Sequence, residues 1–108
     1  MKFESSIQIT NSSEATLIFQ LEPWGEQIEM PAGATFVVAA EAEQSGAFEV
    51  EHCKDGTTVW AWPSAVVKVF CEGEEIGKRS GGERCAVPPV PEGQSVRSFL
   101  RSIFGKDR

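Results

Sequence analysis

The chain has 108 residues, of which 41% are hydrophobic, and its formal net charge is −6 at pH 7. This length suits a single domain with one core, and the apolar content excludes a wholly disordered chain. No apolar run reaches the roughly 18–20 residues that cross a membrane, and the residues after Met1 lack the apolar stretch of a signal peptide, so we expect a cytoplasmic protein.

The net charge is divided unevenly along the chain. Residues 1–77 hold thirteen acidic and three basic residues, a formal charge of −10, whereas residues 78–108 hold three acidic and seven basic residues, a charge of +4. An acidic body repels phosphate groups, so we expect no nucleic-acid partner. It would attract a basic protein partner, and solubility alone is the other explanation of its charge.

Apolar and polar residues alternate with a period of two through the first three quarters of the chain, which indicates strands. The linkers before residue 78 are too short for a crossover helix, so parallel βαβ units are excluded. We therefore predict a small antiparallel β-sandwich or jelly-roll-like barrel over residues 1–78. Its predicted strands are residues 3–9, 17–21, 26–30, 35–40, 48–52, 57–62 and 65–71, with a short eighth strand around Ile76.

Three features of these strands carry further predictions. Asp55-Gly56 predicts a tight hairpin between the fifth and sixth strands. Residues 35–40 are apolar on both faces, as in a strand that is covered on both sides. Trp60 and Trp62 have the spacing of one strand face, where we expect both to fill the core. The alternative is an open face on which they stack a sugar ring or hold a peptide.

The composition changes after Gly77. Residues 79–94 are rich in glycine and proline and poor in bulky apolar side chains, which predicts a flexible linker. Apolar residues then recur at helical spacing over residues 95–105, with Ser95 as the N-cap and a basic tail to residue 108. The apolar stripe of this predicted amphipathic helix consists of Val96, Phe99, Leu100, Ile103 and Phe104, and Arg97 and Arg101 are neighbours on another face.

A helix of about ten residues is marginal alone in water, so we expect its stripe to pack against another surface. Three alternatives stay open: docking on its own body, contact with a protein partner or a second copy in a homodimer, and transient contact with a membrane, which the short stripe disfavours. The five stripe residues, with Arg97 and Arg101, are the candidate partner-binding residues.

Residues that catalysis or metal binding needs are scarce. His52 is the single histidine, and Cys53, Cys71 and Cys85 lack CxxC spacing, so we expect no metal site and no cofactor. The chain has no nucleophile elbow and no phosphate-binding loop, and its glutamate pairs are typical of solvated strand faces. We therefore predict no catalytic residues and no enzyme. The odd cysteine count favours reduced thiols, although a bridge between Cys53 and Cys71 stays open.

Trp24 is the candidate for ligand binding. It lies in a turn between Glu22 and Glu26, and a tryptophan on an open face can stack on a sugar ring or hold a peptide. The alternative is that Trp24 closes one end of the sandwich. We name Trp24, Glu22 and Glu26 as the candidate small-ligand or saccharide site.

The segment Leu21-Glu22-Pro23-Trp24-Gly25-Glu26, followed by Met30-Pro31-Ala32-Gly33, resembles a group of small uncharacterised bacterial β proteins. Those proteins pair an EPWGE-like segment with a downstream Pro-x-Gly turn. The resemblance implies a bacterial, cytosolic, all-β protein and carries no activity.

These observations lead to one preferred hypothesis of function and two alternatives. The preferred hypothesis is a non-catalytic binding or interaction module whose C-terminal amphipathic helix engages a protein partner or its own body. The first alternative is small-ligand or saccharide binding through Trp24 and neighbouring strand-face residues. The second is an acidic inhibitor or immunity-type protein that covers a basic enzyme surface.

Overall fold

A computed structural model describes residues 2–77, 86–89 and 95–98. Its strands are β1 (Phe3–Thr10), β2 (Leu17–Glu22), β3 (Glu26–Met30), β4 (Thr35–Ala42), β5 (Glu49–Cys53), β6 (Gly56–Trp60), β7 (Val66–Cys71) and β8 (Glu74–Ile76). They form two four-stranded sheets, with the order β1-β4-β7-β8 in the first and β3-β2-β6-β5 in the second. This confirms the predicted all-β fold and identifies it as a two-sheet sandwich.

The core lies between the two sheets. Phe19 of β2 and Phe36 of β4 meet edge to face across it, with ring centroids 5.3 Å apart. Buried positions alternate along β4, which places Phe36 and Val38 on the core side and leaves Val37 half-buried on the outer face. The structure thus differs from the prediction for residues 35–40, because only one face of the strand is fully covered.

One strand pair departs from the predicted antiparallel arrangement. β2 and β6 are parallel neighbours, with Ile18 opposite Gly56 and Glu22 opposite Trp60. This pair needs no crossover helix, because the chain passes through β4 of the first sheet before it returns as β5 and β6. A strand in the other sheet of the sandwich thus takes the place of the helix that joins two parallel strands in a βαβ unit.

β5 and β6 form the predicted hairpin, but Gly56 lies in β6, where the close approach of β2 requires it, and not in the turn. Cys53 pairs with Gly56, so Lys54 and Asp55 are the two loop residues. A Cβ atom at Gly56 would lie 1.9 Å from the carbonyl oxygen of Ile18 on β2. The close approach of β2 to β6 therefore requires a glycine at this position.

The two tryptophans near the end of β6 lie in different environments, so the prediction that both fill the core from one face is wrong for Trp60. β6 ends at Trp60, which is half-buried. Trp62 lies beyond the strand and is 5% exposed; its indole N–H donates to the carbonyl of Gln44 at 2.8 Å. Phe48 packs edge to face on Trp62, with ring centroids 5.2 Å apart. A Cβ atom at Gly46 would meet the Trp62 ring at 2.2 Å, so the loop before β5 closes over this indole.

Asn11, in the turn after β1, is buried and hydrogen-bonded through both ends of its side-chain amide. The amide nitrogen donates to the carbonyl oxygens of Ala15 and Met30, each at 2.8 Å. The amide oxygen accepts from the main-chain N–H and the hydroxyl of Ser13, at 3.0 and 2.7 Å. The sequence indicates only that Asn11 ends the first strand, whereas in the structure it joins the turn after β1 to the end of β3.

Two short segments beyond residue 77 pack on the β body. Val87 is 3% exposed; its N–H donates to the carbonyl of Ala65, and its carbonyl accepts from the N–H of Ser64, both at 3.0 Å. Val96 is also 3% exposed and belongs to the same core cluster. Within the predicted flexible linker, residues 79–94, Val87 is therefore packed on the β body. The linker residues other than 86–89 lie outside the described ranges.

Candidate functional site

The outer face of the second sheet gathers acidic and aromatic side chains. Strand register places Glu49, Trp60 and Glu22 in one row across β5, β6 and β2, with Glu51 in the next row. Val59, beside Trp60 on β6, is fully buried. Because successive strand residues point to opposite sides, the row with Trp60 lies on the side of the sheet away from the core.

Arg97, from the C-terminal segment, covers this face at Trp60. Its guanidinium lies 3.1 Å from Oε1 of Glu51, and its Cζ atom lies 5.0 Å from the centroid of the Trp60 ring. We call the side chains of Trp60 and Glu51, which Arg97 contacts, the Trp60–Glu51 site. The site offers a cation two complementary contacts, a carboxylate oxygen and the electron-rich face of an indole.

Residues on both sides of Arg97 fix its approach to the sheet. Val96 is buried, so the residue before Arg97 is held in the core. The hydroxyl of Ser95 accepts a hydrogen bond from the main-chain N–H of Ser98 at 3.0 Å. This bond confirms Ser95 as the N-cap of the helical turn at residues 96–98. Arg97 therefore projects from a capped turn that is anchored next to the Trp60–Glu51 site.

The contacts of Arg97 are modest in energy. The side chains of Arg97 and Glu51 are 29% and 48% exposed, and ion pairs this exposed contribute about 0–1 kcal/mol. The cation–π contact adds about 0.5–2 kcal/mol. The Nε of Arg97 is buried without a hydrogen-bond partner among the described residues, which offsets part of this gain. Burial of Val87 and Val96 contributes more than Arg97 to holding the segment on the body.

The structure describes two of the seven predicted partner-binding residues, and both contact the body of their own chain. Val96 is buried in the core, and Arg97 occupies the Trp60–Glu51 site. The other five lie outside the described residues; they are Phe99, Leu100, Arg101, Ile103 and Phe104.

The predicted ligand site around Trp24 has its two glutamates on opposite sides of the second sheet. Glu26 pairs with Leu21, whose side chain is in the core, whereas Glu22 belongs to the outer face. Trp24 is half-buried against the core, in a turn that contains a cis Glu22–Pro23 bond. The two carboxylates therefore do not face the same side of the sheet.

The other candidate chemical groups are dispersed. Nδ1 of His52 lies 2.9 Å from the hydroxyl of Thr57. Cys53 and Cys71 are free thiols on strands of different sheets, so no disulfide joins them, and Cys85 lies outside the described residues. Within residues 2–77, 86–89 and 95–98, no group of three or more histidine, cysteine or acidic side chains could hold a metal ion.

The first sheet carries a shallow depression of about 610 Å³ on its outer face. Its lining includes the small side chain of Ala39, flanked by Glu41, Lys68 and Phe70. Acidic and basic groups are mixed there, and the depression is open to solvent. The strands of the second sheet carry only acidic charge on their outer face, around the Trp60 ring, so this face is the better candidate for a binding site.

Sequence reasoning missed the Trp60–Glu51 site, although part of the signal is present in the sequence. A two-residue hairpin loop fixes which residues of β5 and β6 lie opposite each other, and Glu49 pairs with Trp60 in that register. The hairpin alone therefore indicates an acidic surface around this indole. No local pattern indicates that Arg97 reaches it, because that contact joins residues far apart in the chain.

Comparisons with protein-family models, with curated proteins and with solved structures found no match to this chain. The resemblance to the bacterial EPWGE-containing proteins therefore stays a prediction. Within the part of the chain that the structure describes, no helix has the length and apolar character needed to cross a membrane.

Proposed function

We propose that the protein is a non-catalytic interaction module that binds a basic protein partner through the outer face of its second sheet. The observation that carries this proposal is the position of Arg97, whose guanidinium contacts Glu51 at 3.1 Å and lies over Trp60. This contact of the chain's own basic segment supports a preference of this face for cationic groups. The proposal joins the interaction-module hypothesis with that of an acidic protein that covers a basic surface.

The charge of the second sheet supports a basic partner. Glu22, Glu49 and Glu51 lie on its outer face, and its four strands contain no lysine or arginine. The first 77 residues together carry a formal charge of −10, which accelerates encounter with a positively charged protein. Trp60 adds a large, rigid aromatic surface of the kind that is enriched at protein interfaces.

We further propose that the predicted helix docks in cis. Val96, the first residue of the stripe, is buried in the core of its own chain. Residues three and four positions apart share a helix face, so in this proposal the other four stripe residues face the body with Val96, and Arg101 lies on the side of Arg97. The other four stripe residues are Phe99, Leu100, Ile103 and Phe104.

A non-catalytic, cytoplasmic role agrees with the remaining side chains. The imidazole of His52 faces a threonine hydroxyl, which does not activate it as a base in the way that a carboxylate would. Cys53 is exposed and unbonded, and Cys71 is also a free thiol, as expected in a reducing compartment. We propose no cofactor.

The test uses full-length protein to capture partners from a bacterial lysate and compares two matched double variants. Glu49→Gln with Glu51→Gln removes two charges from the second sheet, and Glu4→Gln with Glu41→Gln removes two charges from the outer face of the first sheet. We expect a basic protein to be captured by the wild type and the first-sheet variant and lost with the second-sheet variant. Equal loss with both variants, or no loss with either, would contradict the proposal.

Phe99→Asp separates docking in cis from binding in trans. If the stripe docks on its own body, this change lowers the thermal unfolding midpoint of the isolated protein, because a charge enters an apolar contact. Ser98→Asp adds the same charge next to Phe99 at an exposed position off the apolar stripe, and serves as the control. An unchanged midpoint together with loss of the partner, or dissociation of a dimer seen by sedimentation, would assign the stripe to a contact between chains.

A further inference from the structure

The Trp60–Glu51 site holds a guanidinium group from its own chain in the manner of a bound ligand. Two independent contacts define it, the 3.1 Å ion pair with Glu51 and the placement of Cζ 5.0 Å above the Trp60 ring. One recognises charge and the other recognises a flat cation that can lie over an indole. A site with both contacts is selective for an arginine side chain.

Arg97 can leave this site without unpacking the segment that carries it. The segment is anchored by Val87 and Val96, which are each 3% exposed, whereas the Arg97 side chain is 29% exposed. Its contacts also leave one donor unsatisfied, because Nε is buried without a hydrogen-bond partner among the described residues. An arginine that arrives from another molecule is not constrained by these two valines and can present its donors differently.

We propose that the Trp60–Glu51 site binds arginine side chains of a basic protein segment, and that Arg97 is an internal competitor for the same site. This inference rests on the proposed function and specifies its ligand chemistry. A partner must displace Arg97, so the chain binds arginine-rich segments more weakly than its acidic face alone would. Release of Arg97 uncovers Trp60 and Glu51 without opening the core.

Arginine is the expected ligand rather than lysine for a physical reason. The guanidinium is planar, weakly hydrated and able to lie over an aromatic ring while its N–H groups reach a carboxylate. The lysine ammonium is compact and strongly hydrated, so it gains less over an indole and is attracted chiefly by the general negative charge. Discrimination between the two peptides therefore distinguishes the site from the charge of the whole body.

The test measures binding of two blocked peptides, one with four arginines and one with four lysines, to full-length protein. Titration calorimetry gives the affinity, and the indole N–H signal of Trp60 in the NMR spectrum reports where the peptide binds. We expect the wild type to bind the arginine peptide at least tenfold more tightly than the lysine peptide. Arg97→Gln should bind the arginine peptide about two- to fivefold more tightly than the wild type does, because the contacts of Arg97 that the peptide must displace are modest.

Three further substitutions, one of them a control, decide whether this affinity belongs to the site. In the Arg97→Gln background, Glu51→Gln should weaken arginine-peptide binding about three- to fivefold, whereas Glu41→Gln, which removes one charge from the first sheet, should change it less than twofold. Trp60→Ala should remove the preference for arginine over lysine. Equal binding of both peptides to the wild type, or equal effects of the Glu51 and Glu41 changes, would overturn the inference.

A negative result here is distinguishable from failure of the proposed function. If the peptides bind with equal affinity but the second-sheet double variant still loses its protein partner, the acidic face binds by charge alone and the arginine site is wrong. If Arg97→Gln lowers the unfolding midpoint too far for titration, the comparison of the two peptides on the wild type decides alone. Absence of any Trp60 shift with the arginine peptide would then reject the site.

Discussion

At the scale of single residues, Asn11 shows how one buried amide determines the position of two turns. Asn11→Ala would leave the carbonyl oxygens of Ala15 and Met30 and the donors of Ser13 without this partner. Each buried polar group left unsatisfied costs about 1–3 kcal/mol, so we expect urea denaturation to show a loss of at least about 3 kcal/mol in the free energy of unfolding. Ser12→Ala, at an exposed neighbouring position, should stay within about 0.5 kcal/mol. A loss below about 1 kcal/mol for Asn11→Ala would show that water replaces the amide.

Gly56 is the second residue whose role is steric. A Cβ atom there would lie 1.9 Å from the carbonyl oxygen of Ile18, so Gly56→Ala must push β2 away from β6. We expect chemical denaturation to show a loss of about 3 kcal/mol or more, within the range of severe single substitutions. Gly25→Ala is the matched control, since Gly25 has open space around it and a φ of +70°. Its cost should be limited to the roughly 1–2 kcal/mol of left-handed backbone strain. A smaller loss for Gly56→Ala than for Gly25→Ala would contradict this reason for the glycine.

At the scale of elements, main-chain hydrogen bonds join the segment at Val87 to the turn before β7. Val87 exchanges two hydrogen bonds of 3.0 Å with Ser64 and Ala65 and buries its side chain. Val87→Ala should lower the free energy of unfolding by about 2 kcal/mol, from lost burial plus the cavity left behind. Val66→Ala removes the same atoms from a side chain that is 38% exposed, so its cost should be less than half as large. Equal costs in parallel denaturation curves would show that Val87 is not part of the core in solution.

The elements also show what the sequence could predict and what it could not. Alternation along β1, β2 and β4 depends on one face being buried, so period-two patterns located these strands well. The parallel pairing of β2 with β6 depends on how the two sheets are connected, which local patterns do not encode. Likewise, a single buried valine among prolines and glycines is too weak a signal to indicate where the segment after β8 is anchored.

The candidate site could be predicted only in part, because it joins residues that are far apart in the chain. The hairpin of β5 and β6 is local, and from it an acidic face around Trp60 follows by register alone. The docking of Arg97 on that face depends on the whole segment after β8 and on the core positions that hold Val96. Helical spacing predicted that the stripe needs a surface to pack against, and the charge division between the body and the tail agreed with docking in cis. Neither pattern specified the residues that meet.

At the scale of the whole molecule, the β body and the C-terminal segment share one core, so removal of the segment should destabilise the body. A chain that ends at Gly77 lacks both Val87 and Val96, which are each 3% exposed. With about 2 kcal/mol for each lost valine, we expect its free energy of unfolding to fall by roughly 4 kcal/mol, a large share of the roughly 5–15 kcal/mol of a small domain. Arg97→Gln in the full-length chain should cost less than about 1 kcal/mol, because its ion pair is exposed.

Denaturation of the three proteins tests this prediction. Tryptophan fluorescence should also shift to the red in the shortened chain, because Trp60 loses its contact with Arg97 and becomes more exposed to water. A chain ending at Gly77 that is as stable as the full-length protein would show that the segment only rests on the surface, and the cis arrangement on which the arginine competition depends would fall with it.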